Sequence, residues 1–147
     1  MYVLDEDGHI SGVFDVRQSI MVEMEYQILE GGHLCVAEFT FRNEADLVLF
    51  IVLDRDPVWS ARSRPIGRYI STVMVPGNLL SEGVVRVHAA LLTTDPFRLH
   101  AKIFDAIGFQ INENGVGPSA RGDFTGRWPG ALRPLLRRTT EYASRET

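Results

Sequence analysis

Four side chains stand at positions where a protein core has no obvious need for them: Trp59, Tyr69, Arg86 and His88. Trp59 lies in a polar, arginine-rich segment, and Tyr69 shares a strand face with small residues. Arg86 and His88 are two residues apart, so they lie on one face of an extended strand. Aromatic rings offer apolar faces to the C–H groups of sugars, while arginine and histidine hydrogen-bond hydroxyls. The four residues are therefore candidates for a carbohydrate-binding surface.

A simpler interpretation of the same residues stays open. Trp59 and Tyr69 could cap the edge of the fold, and Arg86 and His88 could be solvated. The residue types alone favour this interpretation. Each of the four is also a separate prediction, because antiparallel pairing can place the strand of Tyr69 and the strand of Arg86 in different sheets.

Motifs of the common catalytic and cofactor sites are missing from the sequence. It has no Walker-type phosphate loop, no dinucleotide fingerprint, no paired-cysteine or His-x-x-x-His metal spacing and no nucleophile elbow. The acidic runs 5–7 and 54–56 could bind calcium loosely, but they lack the spacing of a calcium loop, so turn and cap roles are favoured. We expect no catalytic residue, no metal, no cofactor and no ATP binding; the chain is not predicted to be an enzyme.

Composition and charge narrow the class of protein. The chain has 147 residues, 45% of them hydrophobic, and a net charge of −4. No apolar run is long enough to span a bilayer, and the acidic start lacks a signal segment, so we expect a cytoplasmic protein without membrane insertion. A single cysteine, Cys35, fits a reducing compartment. Nucleic-acid binding normally needs a basic domain, and this chain is acidic.

Alternation of apolar and polar residues dominates the sequence. In the run 20–28 the residues Ile20, Val22, Met24 and Tyr26 share one face with Ile28, which is typical of a half-buried strand. Similar short runs are separated by turn residues, and the last clear one is 107–111. Seven or eight such strands predict a single all-β sandwich domain over 1–147. Residues 116–147 are predicted to be an irregular extension, in which 131–136 could form a last short strand.

Two segments carry more specific expectations. The run 47–53 is apolar on both faces, so we expect a cover on each side; the second cover would be a loop, a terminal segment or another subunit. A homodimer is predicted on this basis, with 47–53 or the arginine-rich terminal segment at the contact.

Between the strands 66–75 and 84–93, Leu79 and Leu80 lie in a Pro-Gly-led corner that should fold over the core. The terminal arginines themselves are expected to be solvated, or to touch an acidic face of this chain or of a partner.

Several short motifs follow one another in a distinctive order along the chain. They are Phe14-Asp15-Val16, Val22-Glu23-Met24-Glu25-Tyr26, Pro65-Ile66-Gly67-Arg68-Tyr69, Val75-Pro76, Leu79-Leu80 with Gly83, Ile107 with Phe109 and Ile111, and Gly130 with Arg133-Pro134 and Leu136. In order and spacing, over about residues 10–136, the chain resembles the C-terminal carbohydrate-binding domain of the ATP-binding subunit of O-antigen polysaccharide ABC transporters (the Wzt C-terminal domain).

The resemblance implies an immunoglobulin-like or jelly-roll sandwich that dimerises, with terminal strands that could be exchanged, and that binds the modified end of an exported glycan. Its partners would be the polysaccharide and, in a full-length context, an ATPase domain and a transmembrane transporter subunit at the inner membrane. One departure is that Arg137 and Arg138 stand where the family often has a tryptophan. We predict a non-catalytic glycan-binding module; the alternatives are a structural or dimerisation domain and an accessory domain of a glycan-modifying transferase.

Overall fold

The structure is a computed structural model that describes residues 1–59, 62–94, 96–115 and 117–145. These residues contain strands and no helix, and thus no helix that could cross a membrane. The strands are β1 (Tyr2–Leu4), β2 (Val13–Asp15), β3 (Ile20–Ile28), β4 (Cys35–Arg42), β5 (Val48–Leu53), β6 (Gly67–Val75), β7 (Gly83–Thr93) and β8 (Arg98–Asn112).

The strands form two sheets that pack face to face. One has three strands in the order β1-β3-β6, and the other has five in the order β2-β8-β7-β4-β5. All pairs are antiparallel except the short β2, which pairs parallel with β8. The predicted all-β sandwich is confirmed.

The core lies between the inner faces of the two sheets. On β3 the predicted alternation is confirmed, since Ile20, Val22, Met24 and Tyr26 are all buried. Large side chains of the five-stranded sheet pack against this row. They are chiefly Phe39, Phe41, Val85, Val87, Phe109 and Ile111. Burial of such apolar area is the main stabilising term of the fold.

The corner between β6 and β7 folds over the core as the sequence predicted. Leu80 is buried, and the Asn78 amide donates to the carbonyl of Val16 at 2.6 Å. At Gly77 a Cβ would lie 2.1 Å from the Arg17 carbonyl oxygen. Only glycine lets the corner approach the β2–β3 turn this closely.

The C-terminal segment crosses this corner and is held by ion pairs. The buried Arg133 guanidinium contacts Glu82 at 3.2 Å and Glu113 at 2.8 Å, and its amide donates to Leu79. Arg121 also lies 3.6 Å from Glu82, so two of the terminal arginines touch an acidic face of their own chain. Instead of a strand at 131–136 there is one bridge, between Leu80 and Leu132. Pro134 has no amide hydrogen, so it cannot donate the hydrogen bond that would extend this bridge into a ladder.

β8 differs from the sequence-based expectation, and β5 leaves open the expectation of a cover from another subunit. β5 is the edge strand of its sheet, and Val48, Ile51 and Leu53 on it are 38–56% exposed, so nothing among the described residues of this chain covers that face. β8 begins at Arg98, well before the predicted 107–111. Its residues 98–105 are all exposed, so burial imposes no alternating pattern on them.

Candidate functional site

A cleft of about 710 Å³ opens at one end of the sandwich, beside the loop that joins β5 to β6. The C-terminal end of β5, residues 69–74 of β6 and Tyr26 of β3 contribute to its walls. Its chemically distinctive lining residues are Tyr26, Asp54, Trp59, Arg64, Tyr69 and Ser71. We refer to it as the Arg64 cleft.

Arg64 lies at the base of the cleft and is only 2% exposed. Its Nη2 donates to Asp54 Oδ2 at 2.8 Å, and its Nη1 donates to the Tyr26 hydroxyl. The backbone amide of Arg64 donates to the carbonyl of His33 at 3.3 Å. Its Nε has no hydrogen-bond partner among the described residues. Both terminal nitrogens are hydrogen-bonded and the charge is paired with Asp54, which is how a buried charge is tolerated.

Three aromatic rings surround this guanidinium. Its carbon lies 5.8–5.9 Å from the ring centroids of Tyr26, Trp59 and Tyr69, within cation–π range. Tyr26 and Tyr69 are cross-strand partners, and their rings stack at 5.8 Å, while Trp59 meets Tyr69 edge-on at 5.5 Å. The Tyr69 hydroxyl donates to the carbonyl of Pro65 at 2.8 Å. The rings therefore form a braced aromatic wall.

The Asp54 carboxylate supplies the negative charge of the cleft. Burial alone would raise its pKa, but hydrogen bonds from Ser71 Oγ (2.7 Å) and Arg64 outweigh this and hold the pKa below its ordinary value. Burial raises the pKa of the Tyr26 hydroxyl, which keeps its proton. At neutral pH the cleft thus presents an ionised carboxylate, held in place by its hydrogen bonds, next to aromatic faces.

Sequence reasoning found only part of this site. The sequence predicted Trp59 and Tyr69 as site residues, and the structure places their rings in contact. It did not indicate Arg64 or Asp54. The segment 54–65 contains several arginines, and nothing in its spacing distinguishes the buried Arg64 from exposed Arg55 or Arg62. Burial here depends on how the loop crosses the end of the sandwich.

Arg86 and His88 lie elsewhere, on β7 of the five-stranded sheet, so the structure separates the four candidates into two pairs. Arg86 contacts Asp105 at 3.3 Å and Asp46 at 3.4 Å. His88 is buried at 7% exposure, its Nε2 lies 3.6 Å from Asp105 Oδ1, and its ring meets Phe104 edge-on at 5.2 Å. His88 is thus not the solvated residue of the simpler interpretation.

Two further features of the described residues bring together carboxylate, imidazole or thiol groups. The side chains of Asp5, Asp7 and His9 come within 4.8 Å of one another, but Asp5 Oδ1 accepts the backbone amides of Asp7 and His9, which is a turn role. A second cleft of about 780 Å³ beyond the end of β3 contains Cys35. Burial raises the pKa of the Cys35 thiol, so it is a poor nucleophile at neutral pH.

Comparison with known proteins reveals similarity in structure. No protein-family model matches the chain, and a search of curated proteins finds no match. A solved structure, described as the crystal structure of the C-terminal domain of Wzt, superposes with a TM-score of 0.72. The match covers 96% of this chain and 80% of that chain, at 11% sequence identity. The chain therefore has the fold of the Wzt C-terminal domain, the fold that its ordered motifs predicted.

Proposed function

We propose that the protein is a non-catalytic glycan-binding module that recognises the end of an O-antigen-type polysaccharide for ABC-transporter export. The observation that carries the proposal is the Arg64 cleft: an aromatic wall next to a fixed carboxylate, on a domain with the Wzt C-terminal fold. Most sugar-binding sites pair an apolar ring face with hydrogen-bonding groups, and this cleft offers both.

The roles of the cleft residues follow from their exposure. Trp59 is partly exposed and can stack on the C–H face of a sugar ring, with Tyr69 behind it. Asp54 keeps 16% of its side chain exposed and can accept hydrogen bonds from sugar hydroxyls. Arg64 is too buried to reach a ligand, so we assign it as a positioning residue that holds Asp54 and the rings in place.

Binding fits the electrostatics of the cleft better than glycoside hydrolysis does. A glycosidase needs a carboxylic acid whose pKa is raised so that it can protonate the leaving group. The Asp54 pKa is shifted in the opposite direction, since Ser71 and Arg64 stabilise its charged form. Asp54 is therefore suited to accept hydrogen bonds from a ligand, and poorly suited to donate a proton.

The same proposal includes a homodimer located in the cytoplasm. The outward face of β5 exposes Val48, Ile51 and Leu53 beside an open sheet edge, which favours association of two copies there. The arginine-rich terminal segment is the other candidate contact. In a full-length context the partners would be an ATPase domain and a transmembrane transporter subunit. The exposed β5 face also favours the second candidate function, a dimerisation domain without a ligand.

Calorimetric titration with lipid-free O-polysaccharide tests the proposal. The wild-type protein should bind, and Trp59→Ala should lower the affinity by about 1–3 kcal/mol, the usual cost of losing a stacking aromatic ring. Phe97→Ala is the matched control, because Phe97 is an exposed ring outside the cleft. Absence of binding by a folded wild-type dimer would favour the dimerisation domain instead.

A further inference from the structure

The outer face of the five-stranded sheet carries a local distortion of β8. Val87 pairs with Ile107 and Ala89 pairs with Ile103, so three residues of β8, 104–106, lie opposite the single residue His88. Asp105, in the middle of this bulge, has φ 47°, in the left-handed region that few residues other than glycine, asparagine and aspartate adopt. Bulges redirect side chains and are frequent beside functional sites.

The bulge presents a ring and charges to solvent. Phe104 is 65% exposed, and the Lys102 ammonium lies 5.0 Å from its ring centroid. The Phe104 ring also meets the His88 ring in an edge-to-face arrangement, with centroids 5.2 Å apart. The two Asp105 oxygens point to different partners, Oδ2 to Arg86 and Oδ1 to His88. An exposed aromatic face thus stands beside a carboxylate and two cationic groups.

His88 completes this arrangement and is incompletely satisfied. Its Nε2 is buried and has no hydrogen-bond partner, and the 3.6 Å to Asp105 Oδ1 is longer than a hydrogen bond. A buried polar atom without a partner is costly and calls for an explanation. The contacts of Arg86 with Asp105 and Asp46, at 3.3 and 3.4 Å, are also long. Within the part of the chain that the structure describes, Asp105 is therefore held by long contacts only.

We propose that Phe104, Asp105 and Arg86 form a second saccharide site, distinct from the Arg64 cleft. A sugar ring stacks on Phe104 in place of the Lys102 ammonium, its hydroxyls bond to Asp105 and Arg86, and His88 lies next to Asp105. The site lies in the five-stranded sheet, whereas the aromatic wall of the cleft lies in the β5–β6 loop and the three-stranded sheet. This inference rests on the proposed function, and its consequence is that one domain holds the polysaccharide at two places.

The test counts binding sites with short ligands. O-polysaccharide is cut by partial acid hydrolysis into fragments of a few sugars, and calorimetry measures the stoichiometry per chain. We expect two sites in the wild type and one site in Phe104→Ala, with Trp59→Ala retaining the other. Asp105→Asn should weaken the second site at least tenfold while keeping the backbone, since asparagine tolerates positive φ. Phe97→Ala is the control and should match the wild type.

The outcomes separate the two proposals. If the wild type binds one fragment per chain and Phe104→Ala and Asp105→Asn behave like it, the second site is overturned while the Arg64 cleft stands. If no fragment binds to the folded wild type, glycan binding as a whole is overturned. Amide NMR shifts at Asp105 and Ala106 that respond to fragments in Trp59→Ala, but not in Phe104→Ala, would support the second site independently of stoichiometry.

Discussion

The Arg64 guanidinium donates to the Asp54 carboxylate at 2.8 Å while Arg64 itself is almost fully buried. The pair joins the end of β5 to the loop that leads into β6, and the Tyr26 hydroxyl and Ser71 extend it onto the three-stranded sheet. One ion pair thus fixes the loop that carries Trp59. The same ion pair therefore stabilises this end of the sandwich and determines the shape of the cleft.

Removal of the arginine should destabilise the fold. Arg64→Ala leaves Asp54 without its buried partner, and we expect a loss of about 2–4 kcal/mol in the free energy of unfolding. Urea denaturation measures it. The matched control is Arg68→Ala: Arg68 forms an exposed pair with Glu25, and its loss should change stability by about 0.5 kcal/mol or less. Equal, small effects of both variants would contradict the role given to Arg64.

Acid stability should depend on Asp54 and Asp15. For both groups burial would raise the pKa, but hydrogen bonds outweigh it and lower the pKa below the ordinary value of 3.8. A lowered folded-state pKa gives stability that is present above the unfolded-state pKa and lost as pH falls through the folded-state value. Below about pH 4 the unfolding free energy should therefore fall with pH, and Asp54→Asn should flatten this dependence. An unchanged acid limb in Asp54→Asn would argue against an ionised, paired Asp54.

Replacement of Gly77, in the corner between β6 and β7, should destabilise the fold. Gly77→Ala places a Cβ against the backbone oxygen of Arg17, so the corner must move, and we expect a loss of about 2 kcal/mol or more. Gly12→Ala is the control, because nothing lies within 4 Å of a Cβ there. Thermal unfolding of both variants checks the comparison. Two equally stable variants would show that the corner is looser than the structure has it.

Association should depend on the outward face of β5. The wild type is expected to be a dimer at tens of micromolar in light scattering, and Ile51→Glu should yield a folded monomer, since a charge on an apolar contact is poorly tolerated. Ile10→Glu, at an exposed position outside β5, should leave the dimer intact. A folded monomeric wild type would count against the dimer, and a dimeric Ile51→Glu would shift the contact to the terminal segment.

The sequence predicted those parts of the fold in which buried positions produce a regular pattern of apolar and polar residues. The alternation along β3 and the Pro-Gly corner at 76–83 follow directly from which side chains must be inside. The first half of β8 left no such signal because none of 98–105 is buried. Strand pairing is also invisible in residue order, so the parallel pairing of β2 with β8 was not foreseen.

The candidate site was predictable only as residue types. Trp59 is a candidate because an aromatic ring in a polar segment is unusual, and Tyr69 because it shares a strand face with small residues. The structure places the two rings in contact. Arg64 looks like any loop arginine until the loop closes over the sandwich end, and Phe104 looks like a core residue by type although it is 65% exposed. Both depend on long-range packing, which no local pattern encodes.

Single-tryptophan variants test the central claim most directly, because the chain has two tryptophans. Trp128 lies against Arg133 beside the β6–β7 corner, away from the cleft, so Trp128→Phe leaves Trp59 as the reporter and Trp59→Phe leaves Trp128. On titration with lipid-free O-polysaccharide, the emission of Trp128→Phe should change and saturate, while that of Trp59→Phe should stay constant. A saturable change seen only through Trp128, or through neither tryptophan, would contradict glycan binding in the Arg64 cleft.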